Sequence, residues 1–183
     1  MIYSGGFYWR TNLTCDIGVS AYNRAMAIVE LDELKANLPR EGRLMALDVG
    51  SKTVGVATSD LLRSLATPVT TLKRSKLAAD LAALAELAAR AEARALVIGL
   101  PLNMDGTEGP RCQSVRQFAA NLERHGSPAL AALPVLFQDE RLSTAAVTRG
   151  MIEDYDMSRA KRAERVDAAA AAWILESALA RLR

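Results

Sequence analysis

The sequence predicts an α/β domain built on a mixed sheet covered by helices on both faces. Three features carry that prediction. Two β-rich runs between residues 44 and 59 are separated only by Gly50-Ser51-Lys52, which reads as a hairpin. A further apolar run, ALVIGL at 95–100, is bounded by turn formers, as a buried strand is. Long alanine- and leucine-rich stretches with three- and four-residue spacing lie between and after these runs and read as amphipathic helices. A hairpin meander followed by βα alternation is the pattern of a mixed sheet rather than of a bundle or sandwich.

Taken in order, residues 44–49 form the first strand and Thr53–Ser59 the second, with residues 68–72 supplying a third. Residues 75–93 place Leu77, Leu81, Leu84, Ala88 and Ala91 on one helical stripe. The strand at 95–100 ends at Pro101, and a long connection runs from Leu102 to Gly109. Pro110 suits a first helical position, so a helix is expected over Pro110–His125, halted by Gly126 and Pro128. Val135–Asp139 is the last strand, residues 143–153 a short helix, and Arg159–Leu182 a closing helix with Val166, Ala170, Trp173, Ile174 and Ser177 on one face. The order is β-β-β-α-β-α-β-α-α with five strands, spanning a domain expected at 41–183.

Residues 1–40 differ. Tyr3, Phe7, Tyr8, Trp9 and Tyr22 crowd into the first 22 residues without periodicity, beside Gly5, Gly6 and Asn12. The expectation is a loosely ordered extension with a short helix over 28–37, and Met26 is a candidate for the natural start.

The whole chain has 183 residues, enough for one domain with a core, and its net charge of +2 neither requires nor excludes a nucleic-acid partner. Cys15 and Cys112 are far apart and in no paired motif, which argues against a disulfide framework or a zinc site. Residues 1–10 lack the build of a secretory signal, and no apolar run approaches the roughly 20 residues a membrane helix needs. Cytoplasmic location is expected, with no membrane partner. The turn Gly50-Ser51-Lys52-Thr53 lacks Walker A spacing, no GxGxxG is present, and the single histidine, His125, is better placed as a helix-end charge than as a catalyst.

Three acids invite a chemical reading. Asp48 interrupts the apolar strand LMALDVG, where an ionised carboxylate is costly unless paired or bound to a cation. The alternative is a strand-end aspartate satisfied by the amides of the following turn. Glu140 stands with Asp139 and Arg141 where a buried strand ends, the usual place for ligands in open α/β sheets, although taken alone it is better explained as a solvated strand end ion-paired through Arg141. Asp167 precedes an alanine run near the start of the last helix, where small residues permit close approach to a strand and where the helix dipole alone favours an acid. Hard divalent cations take oxygen ligands, and two such ions held by carboxylates can activate water and stabilise a departing oxygen in phosphodiester cleavage. Spacing does not establish that the three acids meet.

The surrounding words carry a resemblance. LDVGSKTVGVATSD (47–60), VIGLPLNMDGTEGP (97–110), DERLST (139–144) and ERVDAAAAAWILE (164–176) resemble, in order, the four signature blocks of the YqgF/RuvX family, over about residues 43–180. The resemblance implies an RNase H-like fold. It implies a nuclease that processes the 5′ end of pre-16S rRNA in ribosome biogenesis with Mg²⁺ or Mn²⁺, a two-ion site being expected. By the same resemblance Asp48, Glu140 and Asp167 fall on the catalytic, metal-holding carboxylates. Lys52, Asn103, Arg111, Arg141, Lys161 and Arg162 are candidates for contact with the nucleic-acid backbone, phosphate contacts setting position rather than sequence choice. Asp105, Gly106 and Thr107 lie on the same long loop as Asn103, and Arg159 and Arg165 flank Asp167. Two rivals stand beside this reading: a Holliday-junction resolvase acting on DNA as a dimer, and a non-catalytic nucleic-acid-binding or transcription-associated module. Monomer and homodimer are both open. An actin-like ATPase is disfavoured, since about 140 residues cannot supply its two domains.

Overall fold

A computed structural model describes residues 28–141 and 159–183, and the side chains of these except 159–165. The expected helix at 143–153, the stretch 1–27 and the side chains of Arg159, Lys161, Arg162 and Arg165 therefore lie outside the described residues.

Five strands form one sheet: β1 Arg43–Val49, β2 Thr53–Ser59, β3 Ala66–Lys73, β4 Ala93–Leu100 and β5 Val135–Asp139, in the spatial order β3-β2-β1-β4-β5. β1, β2 and β3 run as an antiparallel meander, and β4 and β5 add parallel strands beside β1. Among the described residues the helices are α1 Leu31–Asn37, α2 Leu77–Ala91, α3 Pro110–His125, α4 Pro128–Ala131 and α5 Arg159–Leu182.

Alternation along the strands divides the core into two layers. Met45, Leu47, Val49, Val54, Val56, Leu96 and Ile98 pack with Leu81, Leu84, Val115, Phe118 and Leu122 of α2 and α3. Leu44, Ala46, Ala57, Ala95 and Val97 pack on the other side with Ala171, Ile174, Leu175, Ala178 and Leu179 of α5 and with Leu34 of α1. Each buried leucine or isoleucine in these layers contributes roughly 1.5–3 kcal/mol.

The differences from the sequence reading are local. β3 runs from 66 to 73 rather than 68 to 72, because pairing to β2 continues past the short apolar stretch. Ser127 caps a four-residue helix, α4, its hydroxyl accepting from the Leu130 amide; a Gly-Ser-Pro cluster reads only as a helix stop in sequence. On α5 the buried stripe is Ala171, Ile174, Leu175, Ala178 and Leu179, and Trp173 stays 37% exposed; a face chosen through Trp173 and Ser177 is rotated from the packed one. Alanines hide the true stripe, since they satisfy either phase. Residues 28–40, read in sequence with the extension, are docked: Ile28 bridges to Val135, Val29 and Leu34 are buried, and the Lys35 ammonium donates to the Arg183 carbonyl at 3.3 Å. The short helix there begins at Leu31 instead of 28, the preceding residues being used for that bridge.

No helix among the described residues is long and apolar enough to cross a membrane.

Candidate active site

Because β1, β4 and β5 are parallel, their C-terminal ends share one edge of the sheet. Asp48 lies one residue before the end of β1, and Glu140 directly follows β5, its amide still bonded to the Leu100 carbonyl at 3.2 Å. Asp48 has the parity of Leu44 and Ala46, so it stands on the α5 face.

Two strand glycines bring the other acids to it. Gly55 is the cross-strand partner of Asp48, and a Cβ at Gly55 would collide with the carbonyl of Asp167. The parallel register pairs Leu47 with Ile98, so the next step sets Gly99 beside Asp48. A Cβ at Gly99 would collide with the Glu140 carboxylate and with Ile174 of α5. Gly55, Asp48 and Gly99 thus form a row across three neighbouring strands, spaced by about 5 Å each. The Asp167 main chain rests on one end and the Glu140 carboxylate on the other. The glycines leave the volume into which the Asp167 main chain and the Glu140 carboxylate pack on either side of Asp48. Among the described residues, no three His, Cys, Asp or Glu side chains are drawn together as a ready set of metal ligands. What the fold establishes is adjacency through the two glycines, not a closed cage.

The candidate substrate contacts are arranged around this edge. Lys52 is exposed on the β1–β2 turn, four residues from Asp48. Asn103 and Arg111 are exposed on the connection after β4 and at the start of α3. That connection is stiffened from within. The Asn103 amide donates to the Thr107 carbonyl at 2.9 Å, its side-chain Nδ2 donates to Thr107 Oγ1 at 2.9 Å, and Asp105 Oδ1 accepts from the Thr107 amide at 2.9 Å and hydroxyl at 2.7 Å. Those two bonds, the hydroxyl's first, hold the Asp105 carboxyl below its usual range. Glu108 is bound by the Arg116 guanidinium, which also lies 4.9 Å from the centre of the Phe137 ring.

Arg141 grips its neighbour Asp139, donating from Nε at 2.9 Å and from Nη2 at 2.8 Å. Its remaining Nη1 lies 3.1 Å from where a Cβ on Gly106 would stand, so the loop tip closes against it. These side-chain bonds hold the Asp139 carboxyl below its ordinary value. The folded form therefore binds that proton less tightly than the unfolded chain does. The resulting stability is fully present above about pH 4, the ordinary aspartate range, and is lost as pH falls through the depressed value. Urea unfolding of wild type and Arg141→Ala should accordingly differ at pH 7 and draw together as pH falls below the ordinary aspartate range, about 4. A gap that persists undiminished in acid would remove Asp139 from the explanation.

Sequence reasoning missed Gly55 and Gly99. An isolated glycine inside a strand pattern does signal close approach of another group, but the partner cannot be read from the chain. It also missed Arg74, whose Nη1 donates to the Gly50 carbonyl at 2.9 Å beside the Asp48 strand end.

A meander of three strands extended by two parallel ones, with a long helix laid across one face, is the arrangement of an RNase H-like domain. The chain belongs to the RuvX family: the family model, described as Holliday junction resolvase, matches residues 42–181. It is 54% identical over 158 residues to a Rhodospirillum centenum protein named "Putative pre-16S rRNA nuclease", covering 86% of this chain and 84% of that one. A Rhodobacter capsulatus protein of the same name is 53% identical over 152 residues, covering 83% and 92%. Among solved structures, Thermus thermophilus RuvC in complex with Holliday junction substrate aligns with a TM-score of 0.46 at 15% identity, over 73% of this chain and 91% of that one. Family and relatives make the chain a nuclease, a hydrolase acting on nucleic acid.

Proposed function

We propose that the protein hydrolyses RNA phosphodiester bonds with the help of divalent cations and that its substrate is the 5′ region of pre-16S rRNA. The row Gly55–Asp48–Gly99, with Asp167 and Glu140 seated at its ends, is the observation that carries the reading. An all-carboxylate donor set fits Mg²⁺ or Mn²⁺, which prefer oxygen ligands and keep part of their water. Asp48, Glu140 and Asp167 would hold such ions, two in the complete site. Bound there, the cations supply Lewis-acid stabilisation of charge on the phosphate and on the leaving oxygen, and raise the acidity of water.

The chain's own groups do the positioning. Lys52 on the β1–β2 turn and Arg111 at the start of α3 offer positive charge at this end of the sheet, and Asn103 offers an amide. Arg141, fixed in direction by Asp139, presents its Nη1 toward the loop tip at Gly106. Lys161 and Arg162 precede Asp167 on α5 and would extend the phosphate track. Hydrolysis adds water across the P–O3′ bond: the water oxygen joins phosphorus, one product ends in a 5′ phosphate, and the leaving 3′ oxygen takes up a proton. The relatives' names support pre-16S rRNA as the substrate class, and cytoplasmic location follows from such a substrate.

The family's description favours a second reading, resolution of four-way DNA junctions. The two separate in one experiment, in which purified protein is offered a 5′-leader RNA and a four-way DNA junction with Mg²⁺, with EDTA, and with EDTA followed by excess Mn²⁺. The expected result is RNA cleavage that EDTA removes and Mn²⁺ restores, with the junction intact. Junction cutting without RNA cutting replaces the first reading by the second. Cleavage indifferent to EDTA removes the cations from the mechanism, and binding without cleavage of either substrate favours a non-catalytic module.

A further inference from the structure

Arg74 belongs to no motif read from the sequence, yet it ties together the parts of the site edge that carry Asp48 and Lys52. It follows β3, and its amide donates to the Lys52 carbonyl at 2.8 Å, so the chain is paired to the β1–β2 turn at that point. Its guanidinium then reaches over the turn, Nη1 donating to the Gly50 carbonyl at 2.9 Å. The guanidinium also lies over the Phe118 ring of α3, 5.4 Å from the centroid. The next residues are fixed as well: the Ser75 amide and hydroxyl each donate to Asp80 Oδ1 at 2.9 Å, and Asp80 is buried. Arg74 thus has its direction set by an aromatic face and by a locked main chain before it meets the turn.

Phe118 packs in the α2 and α3 layer, so Arg74 holds the turn from the side of the sheet opposite α5. A planar trans peptide points its C=O and the following N–H in opposite directions. The Gly50 carbonyl that Arg74 holds shares its peptide plane with the Ser51 N–H, so the same bond fixes the direction of that amide, opposite to the carbonyl. The same clamp fixes the main chain from which Lys52 projects.

We propose that Arg74 is a positioning residue for cleavage: from behind the sheet it sets the Gly50–Lys52 turn so that the Ser51 amide and the Lys52 ammonium meet the phosphate beside Asp48. This rests on the nuclease site proposed above and names how one wall of it is held. Guanidinium and ammonium are not equivalent here, since only the planar fork can stack on Phe118 while donating to Gly50.

The test compares wild type, Arg74→Lys and Arg74→Met on the leader RNA with Mg²⁺, together with Asp48→Asn as reference. Arg74→Met keeps the apolar stem and loses the donor, and is expected to lower kcat by roughly 30-fold or more with KM within about threefold of wild type, as misplacement of an approaching group does. Arg74→Lys keeps a donor and is expected to recover part of that loss. A kcat per folded molecule equal to wild type in both variants, with only the unfolding midpoint lowered, makes Arg74 structural and overturns the proposal. A raised KM with a salt dependence of binding weaker by about one counterion makes it a direct phosphate contact and overturns it too. Should Arg74→Met fail to fold, Arg74→Lys decides alone: a kcat within about twofold of wild type overturns the assignment. If Asp48→Asn also cleaves at the wild-type rate, the nuclease site itself is misplaced, a failure distinct from that of Arg74.

Discussion

Asp48→Asn is expected to lower the rate of RNA cleavage by about three orders of magnitude or more while leaving the fold in place. The substitution keeps shape and hydrogen-bonding volume and removes one negative charge. Asp48 occupies the middle of the glycine row, so it is the one acid adjacent to both others. A neutral amide there is a much weaker ligand for a hard cation than a carboxylate is. Two measurements check the argument from different sides. Single-turnover cleavage in Mg²⁺ reads the chemical step. Thermal unfolding with and without Mg²⁺ reads the cation itself, because a ligand that binds only the folded form raises the midpoint by mass action. Wild type should gain from Mg²⁺ and Asp48→Asn should gain less. An unchanged cleavage rate in the variant would remove Asp48 from the chemistry whatever the midpoints do.

The fold was legible because its strands carry nearly continuous apolar runs and its connections carry turn chemistry. Residues 53–59, 110–125 and 135–139 come out at the same boundaries in sequence and structure. What resists reading is what local pattern cannot encode. The docked face of α5 is ambiguous because five consecutive alanines, 168–172, suit any phase, and only the strand surface beneath selects Ala171 and Ile174. The docking of Val29 and Leu34 depends on β5, about a hundred residues distant. At the site the acids stand out by chemical type, Asp48 most of all as a charge inside an apolar strand. The glycines that let them approach are visible as interruptions, but their partners come from β5 and α5 and are fixed by topology alone. Arg74 leaves no mark in the sequence, because a lone arginine after a strand is ordinary and its partners lie on two other segments, the β1–β2 turn and α3.

Gly55→Ala and Gly99→Ala should fail in different ways, and the contrast isolates what each glycine does. Neither glycine has the positive φ that would itself penalise alanine. On unfolded-state entropy alone, Gly to Ala would stabilise by roughly 0.4–1 kcal/mol. At Gly55 the added methyl meets only main chain, the carbonyl of Asp167 and the amide of Ala168. Backbone in the middle of a packed helix does not step aside, so α5 must lift from β2 or tilt. The expected cost is about 2–3 kcal/mol, the upper part of the usual range for overpacking, with Asp167 displaced and cleavage lost together. At Gly99 the methyl meets the far ends of two side chains, the Glu140 carboxylate and the Ile174 δ-methyl. Those can swing, so the stability loss should stay near 1 kcal/mol or less while the carboxylate is driven off the row beside Asp48. Cleavage should then fall by roughly a hundredfold, out of proportion to the stability change. Urea unfolding gives the first quantity and kcat per folded molecule the second. Gly55→Ala as stable as wild type would show that α5 does not rest on that strand as closely as the geometry has it. Full activity in Gly99→Ala would mean that Glu140 works from a different position than over that glycine.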